Sequence, residues 1–428
     1  MPRNTSFHPD REPLRHQGSL QLLPHKITGP FTFLNPTRAH FRHVGASDRD
    51  SASSSDLQQP VTGHSEPGYL AHDAEFKWTS RNNRKGRHAL SVTPAKGSSD
   101  VQYATPPSTS SFREVVRGIG RMFTRYPYWD VSWLVAVVFT WGSIIWVINA
   151  CFVYLPFVAP STEFHNEILY GGGITAFIGA TVFEVGSFLL MAEAINENRT
   201  GCFGWAVEQV FKEHHIEKGG YKRLKPDTAS CVHHHTNQKN LVGKSATQDS
   251  RAGGALSSPV DAGNGKSWVW FPSRYEFRTH YSHELGFLAC LSQLIGATIF
   301  WIAGFTALPG INNHLSQGLL DGIYWTPQVV GAIGFIISGT LFMIETQTKW
   351  YIPALGTLGW HIGAWNLIGG WGFFLSPAFG YSPHHWAQYQ ACLSTFWGSW
   401  AFLIGSVIQW YESLAKYPVD VTKAERTS

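Results

Sequence analysis

The stretch "GSWAFLIGSVIQWYE", residues 398–412, is apolar or small in nearly every position and stops at a carboxylate. Two earlier stretches read the same way without a gap, "GATVFEVGSFLLMAE" at 179–193 and "GAIGFIISGTLFMIE" at 331–345. They share a Gly, a small residue, a Phe, a small pair and a final Glu. On a helix, the Gly, the Phe four residues on, the small residue seven on and the Glu fourteen on fall within about 80 degrees of one another. Gly179, Gly331 and Gly398 would let a neighbouring backbone come close, and Phe183, Phe335 and Phe402 would fill the space beside them.

A matching signal precedes each stretch. "QLIGA" (293–297) aligns with "NLIGG" (366–370) and, more weakly, with "FTWGS" (139–143). The Gly of that motif lies 51, 49 and 43 residues before Glu193, Glu345 and Glu412. These spacings suggest three tandem helical hairpins in one orientation, and an odd number of parallel hairpins suggests a pseudo-threefold bundle.

The chain's average hydropathy is near neutral, but the average conceals segregation. No Asp, Glu, Lys or Arg lies between Lys349 and Glu412, and the chain carries 18 Trp and 28 Phe, a load suited to membrane interfaces. Uncharged or nearly uncharged runs long enough to cross a bilayer begin at Val131, Ile168, Leu285, Ile323, Leu358 and Tyr389. The expected fold is therefore an all-α membrane protein with six transmembrane helices. The loop after span two is rich in Lys and Arg, whereas the links after spans one, three and five carry none, so both termini are expected to be cytosolic. On that topology the sequon at Asn198 is not glycosylated.

The expected organisation follows the composition. Residues 1–110, rich in Ser, Pro, His and Gly, read as a disordered cytosolic tail. Residues 111–130 read as a basic juxtamembrane helix in which Arg113, Arg117, Arg121 and Arg125 meet anionic lipids. A solvated basic linker is the plainer alternative. The hairpins are expected at 131–193, 283–346 and 347–413, with a largely disordered cytosolic insertion at 194–282 and a cytosolic tail at 414–428. "MPRNTSFHPDREPLRHQGSL" lacks an apolar core, so targeting is expected to rest on the first span.

The three repeated acids, Glu193, Glu345 and Glu412, end their helices where the helix dipole and the positive-inside bias both disfavour negative charge. Either they mark the water interface, or they have partners: Arg or Lys of an adjacent loop, or a cation. Glu184 lies about nine residues inside its span, and Gln293 and Asn366 lie at a similar depth. They form a candidate intramembrane polar cluster, read either as interhelical hydrogen bonding or as a proton or cation site. His361 and Gln409 are expected nearer the interface.

Catalytic signatures are thin. The histidines of "EHH" (213–215), "HHH" (233–235), "HYSH" (280–283) and "HH" (384–385) share neither spacing nor membrane side, and are expected to be incidental. The sequence holds no nucleotide-binding loop, no dinucleotide fingerprint and no nucleophile elbow. Cys151, Cys290 and Cys392 sit in apolar runs without a CxxC pair. No cofactor, metal ligand, catalytic residue or nucleic-acid partner is expected.

The segments "WYIPALGTLGWHIGAWNLIGGWGFFLSPAFG" and "YQACLSTFWGSWAFLIGSVIQWYESLAKYPV" resemble a family of uncharacterised fungal integral membrane proteins whose C-terminal part is similar to the YrhK-like two-helix module. The likeness is best over spans three to six and does not reach the N-terminal tail. It implies a multi-span membrane protein and carries no activity, substrate or cofactor to any residue. Three functions are then expected in order. The first is a transporter or channel-like protein for protons, cations or a small solute, the second a non-transporting scaffold or regulatory subunit, and the third an enzyme or accessory protein of a fungal biosynthetic pathway.

Overall fold

The computed structural model describes residues 20–43, 74–87, 89–92, 108–197, 200, 268–416 and 418–421. The N-terminal region supplies four strands, β1 (Leu20–Leu22), β2 (Arg38–His43), β3 (Ala74–Thr79) and β4 (Ala89–Val92), with a short helix α1 (Ser80–Arg84) between β3 and β4. Within 20–43, 74–87 and 89–92 the chain is thus structured where a disordered tail was expected, the rest of 1–107 lying outside the described residues, and the strands depart from an all-α chain. The signal was present: Phe76 and Trp78 alternate with Glu75 and Lys77 in "AEFKWT". It is too short to outweigh the surrounding polar composition, because the strands depend on pairing with distant segments.

Helix α2 (Phe112–Thr124) follows, and then α3 (Val131–Val158), whose start is capped by the Asp130 carboxylate accepting from Ser132 N. A π-helical turn at Ile168–Gly172, where three glycines run together, leads into α4 (Gly173–Ile195). After a short α5 (Arg274–Thr279) come α6 (Leu285–Thr306), α7 (Thr326–Glu345), α8 (Leu358–Gly380) and α9 (His385–Leu414). Pro327, which has no N–H to give, lies where the π-helical turn Leu320–Trp325 passes into α7. Most of the expected insertion at 194–282 lies outside the described residues, as do the "EHH" and "HHH" stretches and Asn198.

Each long helix packs against the one before and the one after it, α3 on α4, α4 on α6, α6 on α7, α7 on α8 and α8 on α9, and α9 closes the ring onto α3. Five segments are long and apolar enough to cross a membrane: Val131–Val158, Ile168–Ile195, Leu285–Thr306, Gln317–Glu345 and His385–Leu414. The expected count of six differs at α8. Its Gly and Trp residues, as in "GWHIGAWNLIGGWG", keep 23 residues below that apolar level. Large apolar side chains, among them Trp141, Phe188, Ile302, Ile337 and Trp400, face outward from the ring, as a hydrocarbon surround requires.

The chain returns to the N-terminal sheet at its end. Strand β5 (Val419–Val421) pairs in parallel with β4, completing a sheet of order β1-β2-β3-β4-β5 whose other pairs are antiparallel. The sheet sits at the end of the ring where α4, α7 and α9 finish. Arg38 donates to the Thr346 carbonyl, Asn35 N to the His283 carbonyl at 2.9 Å, and Arg87 Nε to the Ala415 carbonyl at 2.9 Å.

Candidate functional site

The residues "SRNNRKGR", 80–87, form α1 and its exit. The Thr79 hydroxyl caps the helix by accepting from Asn82 N at 3.1 Å, and Gly86 turns the chain out at φ +58°, a conformation that favours glycine. This short helix carries basic side chains into the end of the ring, and there they meet the three repeated acids.

Arg84 grips Glu345 with both terminal nitrogens, at 2.7 and 2.9 Å, and Ser80 Oγ donates to the same carboxylate at 2.9 Å. Glu412 receives Arg81 Nη2 at 2.7 Å and Arg87 Nη1 at 2.8 Å. Lys85 Nζ lies 3.4 Å from Glu193 Oε1. These groups are buried: Arg84, Lys85, Glu193, Glu345 and Glu412 each expose 2% or less. Of the two readings of the acids, the geometry is that of partnered carboxylates, with partners supplied by a segment expected to be unstructured.

Burial lowers the Arg84 guanidinium, but the Glu345 carboxylate outweighs it and holds Arg84 well above its ordinary value. Lys85 goes the other way. Burial lowers its ammonium and Glu193 restores only part of the loss. Lys85 Nζ and both Glu193 carboxylate oxygens find no hydrogen-bond partner among the described residues, so this pair is the least satisfied of the three.

Beneath α1 lies a cavity of about 30 Å³, enough to admit water. Arg81, Arg84 and Lys85 line it at one end, and Gln293, Asn366 and Gln409 are among its polar walls. Of the candidate polar cluster, Gln293 and Asn366 line this cavity together with Phe139 of α3, and Glu184 is not among its lining residues. Glu184 is one residue along α4 from Phe183, which turns to the axis, so Glu184 turns toward α6. There it accepts from Thr298 Oγ1 at 2.8 Å. Gln409, expected at the interface, is buried on the cavity wall, while His361 bonds the Leu355 carbonyl at 2.8 Å.

The floor of the cavity is aromatic. Phe183, Phe335 and Phe402 form a triangle with ring centroids 5.5 to 6.5 Å apart. Trp146, Phe300 and Phe373, one each from α3, α6 and α8, form a second triangle with centroids 4.8 to 5.8 Å apart. The layers stack, with Trp146 on Phe183, Phe300 on Phe335 and Phe373 on Phe402 at 5.2 to 6.4 Å. Six rings fill the axis in mostly edge-to-face contact. The glycines sit as the packing requires: a Cβ at Gly331 would meet the Gly296 carbonyl at 2.7 Å, and one at Gly398 would meet Gly372 Cα at 3.0 Å.

At the rim of this cluster, Asn83 Nδ2 donates to Glu197 Oε2 at 2.6 Å, and Glu284 lies beside Glu197. Burial raises the Glu197 carboxyl, but His280, Glu284 and Arg84 outweigh it and hold it down to about 2. Glu284 is pushed well above its ordinary value by burial and by the Glu197 charge. No sequence signal marked this pair. The acids stand 87 residues apart, and only the fold brings them together.

Helix α2 leaves Phe112, Val116, Ile119 and Phe123 exposed, the first by 84%, and Glu114 pairs with Arg117 and Arg121. It rests on α9 through Phe123 and Trp410, whose ring centroids are 6.5 Å apart. No protein-family model, curated protein or solved structure matches the chain.

Proposed function

We propose that the chain is a six-span membrane protein of three tandem hairpins, α8 serving as the sixth span, with both termini cytosolic. We further propose that it works as a non-transporting scaffold or regulatory subunit. The repeat is supported by the two aromatic triangles, to which equivalent positions of the three aligned units each contribute one ring. The resemblance to the YrhK-like two-helix module fits a unit used three times. The exposed apolar edge of α2 and its arginines suit an anionic lipid surface next to the first span.

The observation that carries the scaffold reading is the filled axis. Six stacked rings occupy the line along which a solute would pass, and buried ion pairs bind the sheet to the end of the ring. Glu184, the carboxylate a conduit would use, faces a hydroxyl in a packed helix interface. A rigid bundle then holds a small sheet and an amphipathic helix at one membrane face, available to partners.

The transport reading keeps one observation, the polar cavity walled by Gln293, Asn366 and Gln409 beneath a basic helix. The test is reconstitution into liposomes under a pH or cation gradient, comparing the intact chain with Glu184→Gln. Equal, background-level flux is expected for both. Flux in the intact chain that Glu184→Gln abolishes would overturn the scaffold reading.

A further inference from the structure

The two ends of the long insertion meet at three side chains that bear metal-ligand atoms. Glu197 lies two residues beyond α4, His280 follows α5, and Glu284 immediately precedes α6. His280 Nε2 stands 3.4 Å from Glu197 Oε1 and 3.6 Å from Glu284 Oε2, and the three ligand atoms lie within 4.8 Å of one another.

These separations are informative. A charge-assisted hydrogen bond between imidazolium and carboxylate closes to about 2.7–2.9 Å. Two ligands that each stand about 2.0–2.1 Å from a tetrahedral ion are instead held about 3.4 Å apart. The two separations from His280 Nε2 are thus closer to those of ligands sharing one ion than to a direct hydrogen bond.

Glu197 Oε1 and Glu284 Oε2 are buried, no N–H of the described residues donates to either, and the Glu284 side chain is only 8% exposed. The two facing carboxyls must share a cation, either a proton held on Glu284 or a metal ion in its place. Arg84, whose charge reaches both acids, is committed through both terminal nitrogens to Glu345. The second oxygen of Glu197 is oriented by Asn83 Nδ2 at 2.6 Å, the kind of outer hydrogen bond that fixes a ligating carboxylate. The His280 carbonyl accepts from Asn35 Nδ2 at 3.4 Å, which ties the ligand's backbone to the sheet.

We propose that Glu197, His280 and Glu284 form a site for a divalent transition-metal ion, Zn²⁺ by donor set. One imidazole and two carboxylates, without thiolate, suit a borderline ion, and two carboxylates balance its charge. Three protein ligands leave a fourth position open. Because Glu197 and His280 bracket residues 198–279, the ion closes that loop at the base of α4 and α6. Through Asn83 it also steadies α1 over the three acids.

The test uses the full chain in detergent carrying His233→Ala, His234→Ala and His235→Ala, so that the histidine run cannot bind zinc. After chelation and re-addition of stoichiometric Zn²⁺, elemental analysis should find about one zinc per chain, and zinc should raise the melting temperature. Glu284→Gln, which keeps shape and hydrogen bonding, should lose zinc at least tenfold, as should His280→Ala. His314→Ala, in a distant link, should keep it. Should His280→Ala fail to fold, Co²⁺ absorption bands present in the parent and absent in Glu284→Gln decide the matter. A parent chain that holds no zinc and melts at the same temperature with zinc or chelator overturns the proposal. So does a Glu284→Gln chain that retains the metal.

Discussion

At the scale of single residues, the decisive fact is that three carboxylates in an apolar bundle meet basic side chains from one short helix and the turn that leaves it. Each acid alone would carry a heavy desolvation cost, and each pair is satisfied to a different degree. Arg84 and Glu345 form the bidentate, sealed pair. Arg84→Ala leaves Glu345 buried and unpaired and should cost about 3–5 kcal/mol, read as a fall in the tryptophan-fluorescence melting temperature. Arg84→Met combined with Glu345→Leu should recover most of it, because no charge then remains buried. Gly286→Ala should mimic the single loss, since a Cβ there collides with the Arg84 guanidinium.

Lys85 adds a pH dependence. Burial holds its ammonium below the ordinary value near 10.5, with Glu193 and Glu412 restoring part and Arg81 and Arg84 opposing. The unfolded chain therefore keeps that proton to higher pH than the folded one. Between the lowered value and the ordinary one, unfolding takes up a proton, so this group's contribution to stability rises with pH. Against a Lys85→Met, Glu193→Gln chain, which cannot titrate here, the intact protein should be at its greatest disadvantage near neutral pH. It should gain on the variant as pH approaches the ordinary lysine value, measured by thermal melts across that range.

At the scale of elements, helices meet at glycines and lock at aromatics. With lipid on the outer face, no hydrophobic term draws helices together, so close packing must supply the attraction. The Gly296–Gly331 approach lets α6 and α7 touch by backbone, and the Phe and Trp layers fill the axis inside. Gly331→Leu should separate α6 from α7 and prevent a monodisperse folded chain, read by size-exclusion chromatography. Phe402→Ala opens the floor of the cavity and should cost about 3 kcal/mol, the low end for such truncations, because the transfer part of the loss is small in lipid.

At the scale of the whole molecule, the segment 416–421 after α9 is fastened to the N-terminal sheet and to the bundle. β5 pairs with β4, Lys77 Nζ reaches Asp420 at 3.0 Å, and Lys416 Nζ lies 2.6 Å from Asp130 and 2.9 Å from the Lys85 carbonyl. Removing residues 416–428 strips β4 of one of its two neighbours and frees both Asp130 and the turn after α1. The expected result is a lower melting temperature and faster proteolysis between β3 and β4, while the bundle keeps its helical circular dichroism.

Much of the bundle was legible because its signals are local. A run of uncharged residues answers to lipid alone, and the positions of Gly, Phe and Glu in three aligned stretches follow helical geometry whatever the partner. Gln293 and Asn366 could be placed at one level for the same reason. Glu184 stands apart from them because depth along a helix says nothing of azimuth, and one residue from Phe183 is a turn of 100 degrees. The strands and α1 escaped because short polar segments owe their structure to distant partners: Glu345 lies 261 residues from Arg84.

The amino-acid order by itself determined that the chain has long lipid-compatible helices and that three carboxylates end three of them at like positions, since hydrophobic length and helical period act within a segment. Only the tertiary structure decided what those carboxylates meet, which side chains fill the axis, and that Glu197, His280 and Glu284 converge. Such pairings join groups far apart in the chain, and their energy depends on burial that no local stretch can report.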